Sequence, residues 1–282
     1  MCGVFPAAIP PSTDLNIGGE EDVMRSMRFV VIAVTAVLVI RADAAQAGPC
    51  DDVPNYAALK AALSAARSES NGGFNLDMWG TIVNRDGIVC AVAFTGVGRG
   101  DQWPGSRVIS AQKANTANAF SLSGLALSTA NLFTAVQGGG SLFGLQHSNP
   151  VNTDVAYGGN PANNGTASDP MVGGRIGGVN VFGGGLALYS ASKGLVGAVG
   201  VSGDSSCADH NIAWRTRANL NMDHFAPTQT GGVSGDSQRP DNIVYDITPQ
   251  TGQMEGVSAS GWGHPVCSNA AKTIAASLPK VN

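Results

Sequence analysis

Charge is scarce in this 282-residue chain: 13% of the residues are Asp, Glu, Lys or Arg, and 16 basic side chains stand against 20 acidic ones, a formal net charge of −4. Without a basic excess there is no electrostatic footprint for a phosphate backbone, so nucleic acid is excluded as a partner. Long apolar runs are missing as well. The longest, Phe29 to Ile40 with Thr35 inside it, is about a dozen residues where a bilayer span needs roughly 20, which argues against a stable membrane anchor. Familiar catalytic signatures are also absent. Gly200-Val-Ser202-Gly203-Asp204 lacks the Gly-x-Ser-x-Gly spacing of a nucleophile elbow, and neither Gly138-Gly-Gly140 nor Gly183-Gly-Gly185 is followed by the Lys-Ser/Thr pair of a phosphate loop. No His-Glu-x-x-His zinc helix occurs, and Cys207-Ala-Asp-His210 is not the Cys-x-x-Cys-His of covalent haem attachment. With no nucleophile paired to a base and an orienting acid, no catalytic residue is assigned.

Glycine, in contrast, is abundant at 38 residues, and 43% of the chain is hydrophobic, which suits tight turns, sheets and a sizeable core. Met24-Arg-Ser-Met-Arg28, the apolar run and Ala45-Gln46-Ala47 have the three parts of a secretory signal peptide. Residues 24–47 are therefore expected to be removed, with cleavage after Ala47 and a periplasmic or secreted destination. Residues 1–23 carry Asp14, Glu20, Glu21 and Asp22 ahead of the basic segment and do not fit a leader, so translation is expected to begin at Met24 or Met27. Removing the leader discards Cys2 and leaves Cys50, Cys90, Cys207 and Cys267, an even number in a chain bound for an oxidising compartment. Three disulfide pairings are possible. Cys207 with Cys267 is favoured because a C-terminal tail needs tying to its domain, which leaves Cys50 with Cys90; buried free thiols are the alternative.

Along the mature chain, Asp51 or Asp52 is expected to cap a helix with Pro54 in its first turn and Leu59, Leu63 and Ala66 as its apolar stripe, stopping at Asn71-Gly72-Gly73. The runs 78–83 and 88–94 flank Asn84-Arg-Asp-Gly87 and read as a β-hairpin. A helix over 108–122, with Ala111, Ala114, Ala117 and Ala119, is thin enough to lie close on a sheet, and a further helix is expected over 128–137. The stretch 138–178 is rich in Gly, Asn, Pro, Thr and Ser and reads as a long functional loop, a lid or an oligomer contact. Asn164-Gly-Thr166 marks it as exposed; Asn152, Asp154 and Asn160 offer oxygen ligands for calcium, although such residues usually serve turns. Strands are expected at 179–182, 186–189 and 195–201, then a helix over 206–223 and a tail, 227–282, with one strand at 243–245 and a helix over 268–278. The pattern describes an α+β domain over 48–226 with a mainly antiparallel sheet, plus a C-terminal extension packed on it.

The turn after the 195–201 strand is the clearest candidate site. Gly197, Gly200 and Gly203 interrupt an apolar run, which argues for a close backbone approach. Ser205 and Ser206 are good N-cap residues for the following helix, whose first amides favour an anion. Gly200, Ser202, Gly203, Asp204 and Ser205, with Asp209 behind them, form the preferred pocket. Lys113, in a helix of small neighbours, can reach a carboxylate there; the plainer alternatives are an exposed lysine or a partner for Asp209.

Three features occur together: the Asn84-Arg-Asp-Gly87 hairpin, the helix Ser110-Ala-Gln-Lys-Ala-Asn-Thr-Ala117, and the Gly-Gly-Val-Asn-Val-Phe segment leading to Gly197-Ala-Val-Gly-Val-Ser-Gly203 and Asp209. In these the sequence resembles the HbpS-like, or GlcG-like, haem-binding family, roughly from Tyr56 to Leu220; the loop near 145–175 is longer than that family suggests, and the tail lies outside it. The resemblance implies a profilin-like antiparallel sheet flanked by helices, assembly into homo-oligomers, and binding of haem or another tetrapyrrole, with haem degradation in some members. It adds Thr116 to the ligand-binding candidates. His147 and His210 are the candidate iron ligands, since neutral imidazole suits haem iron, although a lone histidine more often serves as an ordinary hydrogen-bonded residue. Two other readings stand beside haem capture, sensing or degradation: an enzyme or accessory protein acting on a small carboxylate such as a 2-hydroxy acid, and a non-catalytic oligomeric scaffold.

Overall fold

A computed structural model describes residues 48–282, without the side chains of residues 253–255; the expected leader and the 1–23 segment lie outside the described residues. Four strands form one antiparallel sheet in the order β2-β1-β4-β3: β1 (Trp79–Asn84), β2 (Val89–Phe94), β3 (Gly185–Ser190) and β4 (Gly194–Ser202). The Asn84 to Gly87 turn joins β1 and β2 as expected. Asn84 Oδ1 accepts from the amides of Asp86 and Ile88, and Gly87 sits at φ +76°, where a side chain would be strained.

Alternation along β1 divides the sheet. Ile82 joins one core with Leu59 and Leu63 of helix α1 (Tyr56–Ser68) and Ile212 and Ala213 of helix α5 (Ser206–Asn219). Trp79 and Val83 face the other way, toward Val108, Ala111, Ala114 and Ala117 of helix α2 (Ser106–Phe120). This α+β architecture, an antiparallel sheet flanked by helices, is the expected one. Ala119, unlike the other alanines of α2, is exposed. At Gly200 α2 lies so close that a Cβ would collide with the carbonyl oxygen of Ser110, so the glycine spacing serves packing there.

Local differences from the sequence reading have physical causes. Helix α1 is capped by Asn55, whose side chain accepts from Ala58 N at 3.0 Å, because Pro54 keeps the residue before it out of the helical region and Asp51 is occupied by the amide of Gly48. Residues 128–137 form two 3-10 turns, Thr129–Leu132 and Thr134–Val136, the first opened by a Ser128/Asn131 capping box. Residues 179–182 form no strand and bend at Phe182; the amide of Asn180 donates to Thr116 Oγ1 instead of a strand partner.

The long loop is a packed segment. It contains short helices α3 (Leu145–Ser148) and α4 (Thr153–Tyr157), buries Ala156, Met171 and Ile176 against α2, and is pinned by Arg107, which pairs with Asp169 and donates to Ala156 O. In the tail, residues 243–245 make only a single bridge, Val244 to Gly263; the paired strands are β5 (Ile247–Gln250) and β6 (Gln253–Ser258). Helix α6 (Asn269–Ala276) follows, capped by Ser268. The disulfides are Cys50–Cys90 and Cys207–Cys267, the favoured pairing. No helix among the described residues is long and apolar enough to cross a membrane.

Candidate functional site

Where β4 ends and α5 begins, the chain encloses a cavity of about 290 Å³. Helix α2 contributes Ser106, Ile109 and Lys113, the end of β4 and the turn after it give Ser202 and Asp204, and α5 gives Ser206 and Asp209. Two aromatic side chains complete the wall, Trp103 from the loop before α2 and Phe182 from the segment before β3, 53% and 46% exposed respectively. Wider grooves exist, one of about 590 Å³ beside α1 and one of about 520 Å³ around Arg67 to Leu76. The smaller cavity stands out chemically because a buried ion pair forms part of its wall.

That pair joins α2 to α5. Lys113 Nζ lies 2.7 Å from Asp209 Oδ2 and donates also to the carbonyl of Val201 at 3.1 Å, with both side chains almost fully buried. Burial is the dominant influence on each: it lowers the Lys113 pKa and raises that of Asp209 to about 6, while the opposite charge of the partner pulls both back. Asp209 Oδ1 accepts the amide of Asp204, fixing the turn. Asp204 in turn accepts from the amides of Phe74, Leu76 and Ser205. Ser205 is the N-cap of α5, as its sequence position suggests. Lys113, Ser202, Asp204 and Asp209 thus meet at one cavity; Gly200 lies against α2, Gly203 against residues 77 and 78, and Thr116 donates to Gln112 O away from it.

Neither candidate iron ligand lines this cavity. His147 is exposed on α3. His210 is fully buried, with Nε2 3.1 Å from both Asn242 Oδ1 and the amide nitrogen of Ile243, and its Nδ1 has no partner. Burial lowers its pKa to about 4, so the ring is neutral at pH 7. His264, from the tail, is likewise lowered to about 4 by burial. Its Nδ1 lies 2.7 Å from Pro265 O and its Nε2 2.7 Å from Ser206 Oγ, which receives the amide of Gly183. A proton on Nδ1 and a hydroxyl donated by Ser206 satisfy all three groups.

Sequence reasoning missed Trp103, Ser106, Ile109 and Phe182. Trp103, a large apolar residue between Gln102 and Pro104 in a glycine-containing loop, was the available signal. The approach of His264 to Ser206, 58 positions apart, had none.

No curated protein matches the sequence. Among solved structures, Klebsiella pneumoniae protein ORFY is 23% identical, covering 58% of this chain and 86% of that one with a TM-score of 0.40. A PduOC:heme complex is 23% identical over 59% and 91%, TM-score 0.41, and a double mutant of Streptomyces reticuli HbpS is 19% identical over 62% and 93%, TM-score 0.35. Residues 55–217 match the family model described as haem degrading protein HbpS-like, which spans the sheet, both flanking layers and the cavity wall. The chain belongs to the HbpS-like family.

Proposed function

We propose that this is an exported tetrapyrrole-binding protein, periplasmic or secreted, whose ligand enters the cavity between α2 and α5 edge first and lies against Trp103 and Phe182. Family membership supports the ligand class. The observation that carries the location is the pair of half-exposed aromatic side chains on a cavity with an apolar Ile109 wall. At about 290 Å³ the cavity takes one edge of a macrocycle, and the exposed aromatic faces extend the apolar surface outward. The donors around it do not fit haem iron: no histidine lines it, and the Lys113 ammonium is committed to Asp209 and Val201. The cavity therefore captures its ligand through the ring face, without an axial histidine. Two disulfides support an oxidising destination.

The test is a titration of the chain from Gly48 onward with haem and with iron-free protoporphyrin, followed in the Soret region and by tryptophan quenching, with light scattering alongside for the homo-oligomer expected of the family. Saturable binding of both ligands within about threefold of each other, weakened about tenfold by Trp103→Ala, is expected, tenfold being about 1.4 kcal/mol. Absence of saturable binding, or binding that needs iron and is lost in His147→Ala, overturns this reading.

A further inference from the structure

The tail disulfide does not stand alone. Cys207 Sγ, Cys267 Sγ and a ring nitrogen of His264 all lie within 4.8 Å of one another, the one such group of three or more metal-ligating side chains among the described residues. Cys207 Sγ is 4.0 Å from His264 Nδ1. A tetrahedral zinc site with ordinary Zn–S and Zn–N lengths sets sulfur and nitrogen about 3.6 Å apart and its two sulfurs about 3.8 Å apart. Closing the Cys207–imidazole distance by a few tenths of an ångström, drawing in Cys267 Sγ from within 4.8 Å as the sulfurs part, and releasing Nδ1 from Pro265 O therefore convert this cluster into three ligands around one ion. The Cα atoms of the two cysteines, 5.9 Å apart, need no large movement for this.

Two further features favour the conversion. Cys207 and His264 are buried whereas Cys267 is exposed, so a reductant and an ion approach from one side. The far nitrogen of His264, Nε2, is already held by Ser206 Oγ at 2.7 Å. When Nδ1 binds a metal the ring proton moves to Nε2, and a serine hydroxyl accepts as readily as it donates, which keeps the ring oriented.

We propose that reduction of Cys207–Cys267 creates a Cys-Cys-His site for a thiophilic metal ion, with Zn²⁺ as the reference ion and a fourth position left to solvent. The reductant is a dithiol. Its thiolate attacks Cys267 Sγ and Cys207 leaves as thiolate; its second thiol then displaces Cys267, and the reductant departs as its own disulfide. The two cysteines gain two electrons and two protons between them, and binding of the divalent ion releases those two protons. This site shares Ser206 with the wall of the cavity, but its metal test is read without any tetrapyrrole and so fails or succeeds independently of that reading.

Cobalt titration of the protein, before and after reduction with a metal-free phosphine, tests the proposal. One equivalent of Co²⁺ per reduced chain is expected to give a thiolate-to-cobalt band with tetrahedral d–d absorption, displaced by Zn²⁺ and absent from the oxidised protein. The band should disappear in Cys267→Ser, which retains Cys50 and Cys90 as controls for binding elsewhere, and affinity should fall at least tenfold in His264→Gln. A folded reduced protein without a saturable band, or a band that survives Cys267→Ser, overturns the proposal. So does a reduced chain that loses its cooperative melt and does not regain it with Zn²⁺.

Discussion

The two helices that meet at the cavity are covered by opposite means. Helix α2 lies on the sheet through small residues: Ala111, Ala114 and Ala117 are fully buried, and Gly200 leaves room for the carbonyl of Ser110. Helix α5 buries Cys207, His210, Asn211, Trp214 and Arg217 as well as its apolar residues, and the tail supplies most of their partners. Arg217 makes a two-bond pair with Asp241 at 2.6 and 2.9 Å, His210 meets Asn242, Trp214 donates to Pro279 O, and Cys207 is bonded to Cys267. The face of α2 on the sheet is set mainly by steric closeness, with buried polar ties such as Lys113 to Val201 O and Asp209 beside it; the face of α5 under the tail is held mainly by polar partners. A helix that looks polar in sequence is buried here because a second segment satisfies it.

The largest expected effect comes from breaking the polar side. Arg217 and Asp241 are both fully buried, so Asp241→Ala strands a guanidinium with no counter-charge and should cost about 3–5 kcal/mol in urea unfolding. Asp241→Asn keeps an acceptor and should cost less. A loss below about 1 kcal/mol for the alanine variant would mean that the tail is held by its other contacts alone. Breaking the steric side comes next. Gly200→Ala forces α2 away from β4 and should cost about 1–3 kcal/mol, whereas Gly105→Ala, with open space around it, should change stability by less than about 0.5 kcal/mol. Equal effects at both glycines would remove the close approach of α2 as an explanation of the Gly200 position.

Legibility in the sequence follows the same division. The hairpin turn, the alanine face of α2, the N-cap of α5 and the β4 strand are set by neighbouring residues, and all were readable from local pattern. For Lys113 the residues offered a ligand carboxylate or, more plainly, Asp209 as its partner, and the geometry shows the pairing with Asp209. The hairpin of β5 and β6 was hidden because its strands carry Pro249, Gly256 and mostly polar side chains instead of a period-two apolar face. Trp103 and Phe182 on one cavity, or His264 against Ser206, depend on how distant segments dock, and no local periodicity encodes that.

The smallest predicted effect is a pH dependence that separates the two regions. His210 and His264 titrate near 4 in the fold, lowered chiefly by burial, against about 6.5 in an unfolded chain. Between those values the unfolded chain binds more protons, so their contribution, complete above pH 6.5, is lost as pH falls toward 4. Asp209 works the other way. Raised to about 6 chiefly by burial, it takes a proton in the fold before it does so unfolded, which favours the fold at lower pH. Two losses against one gain leave a stability that falls modestly as the pH drops from 6 toward 4. Both histidines sit at the tail: His210 faces Asn242 and Ile243, and His264 belongs to it. Acidification should therefore release the amides of Ile243 and His264, corrected for intrinsic exchange rates, before those of β1 and β4. Simultaneous release in hydrogen exchange would show that the sheet and the tail open as one cooperative unit, and that the polar docking of α5 is as integral to the fold as the steric docking of α2.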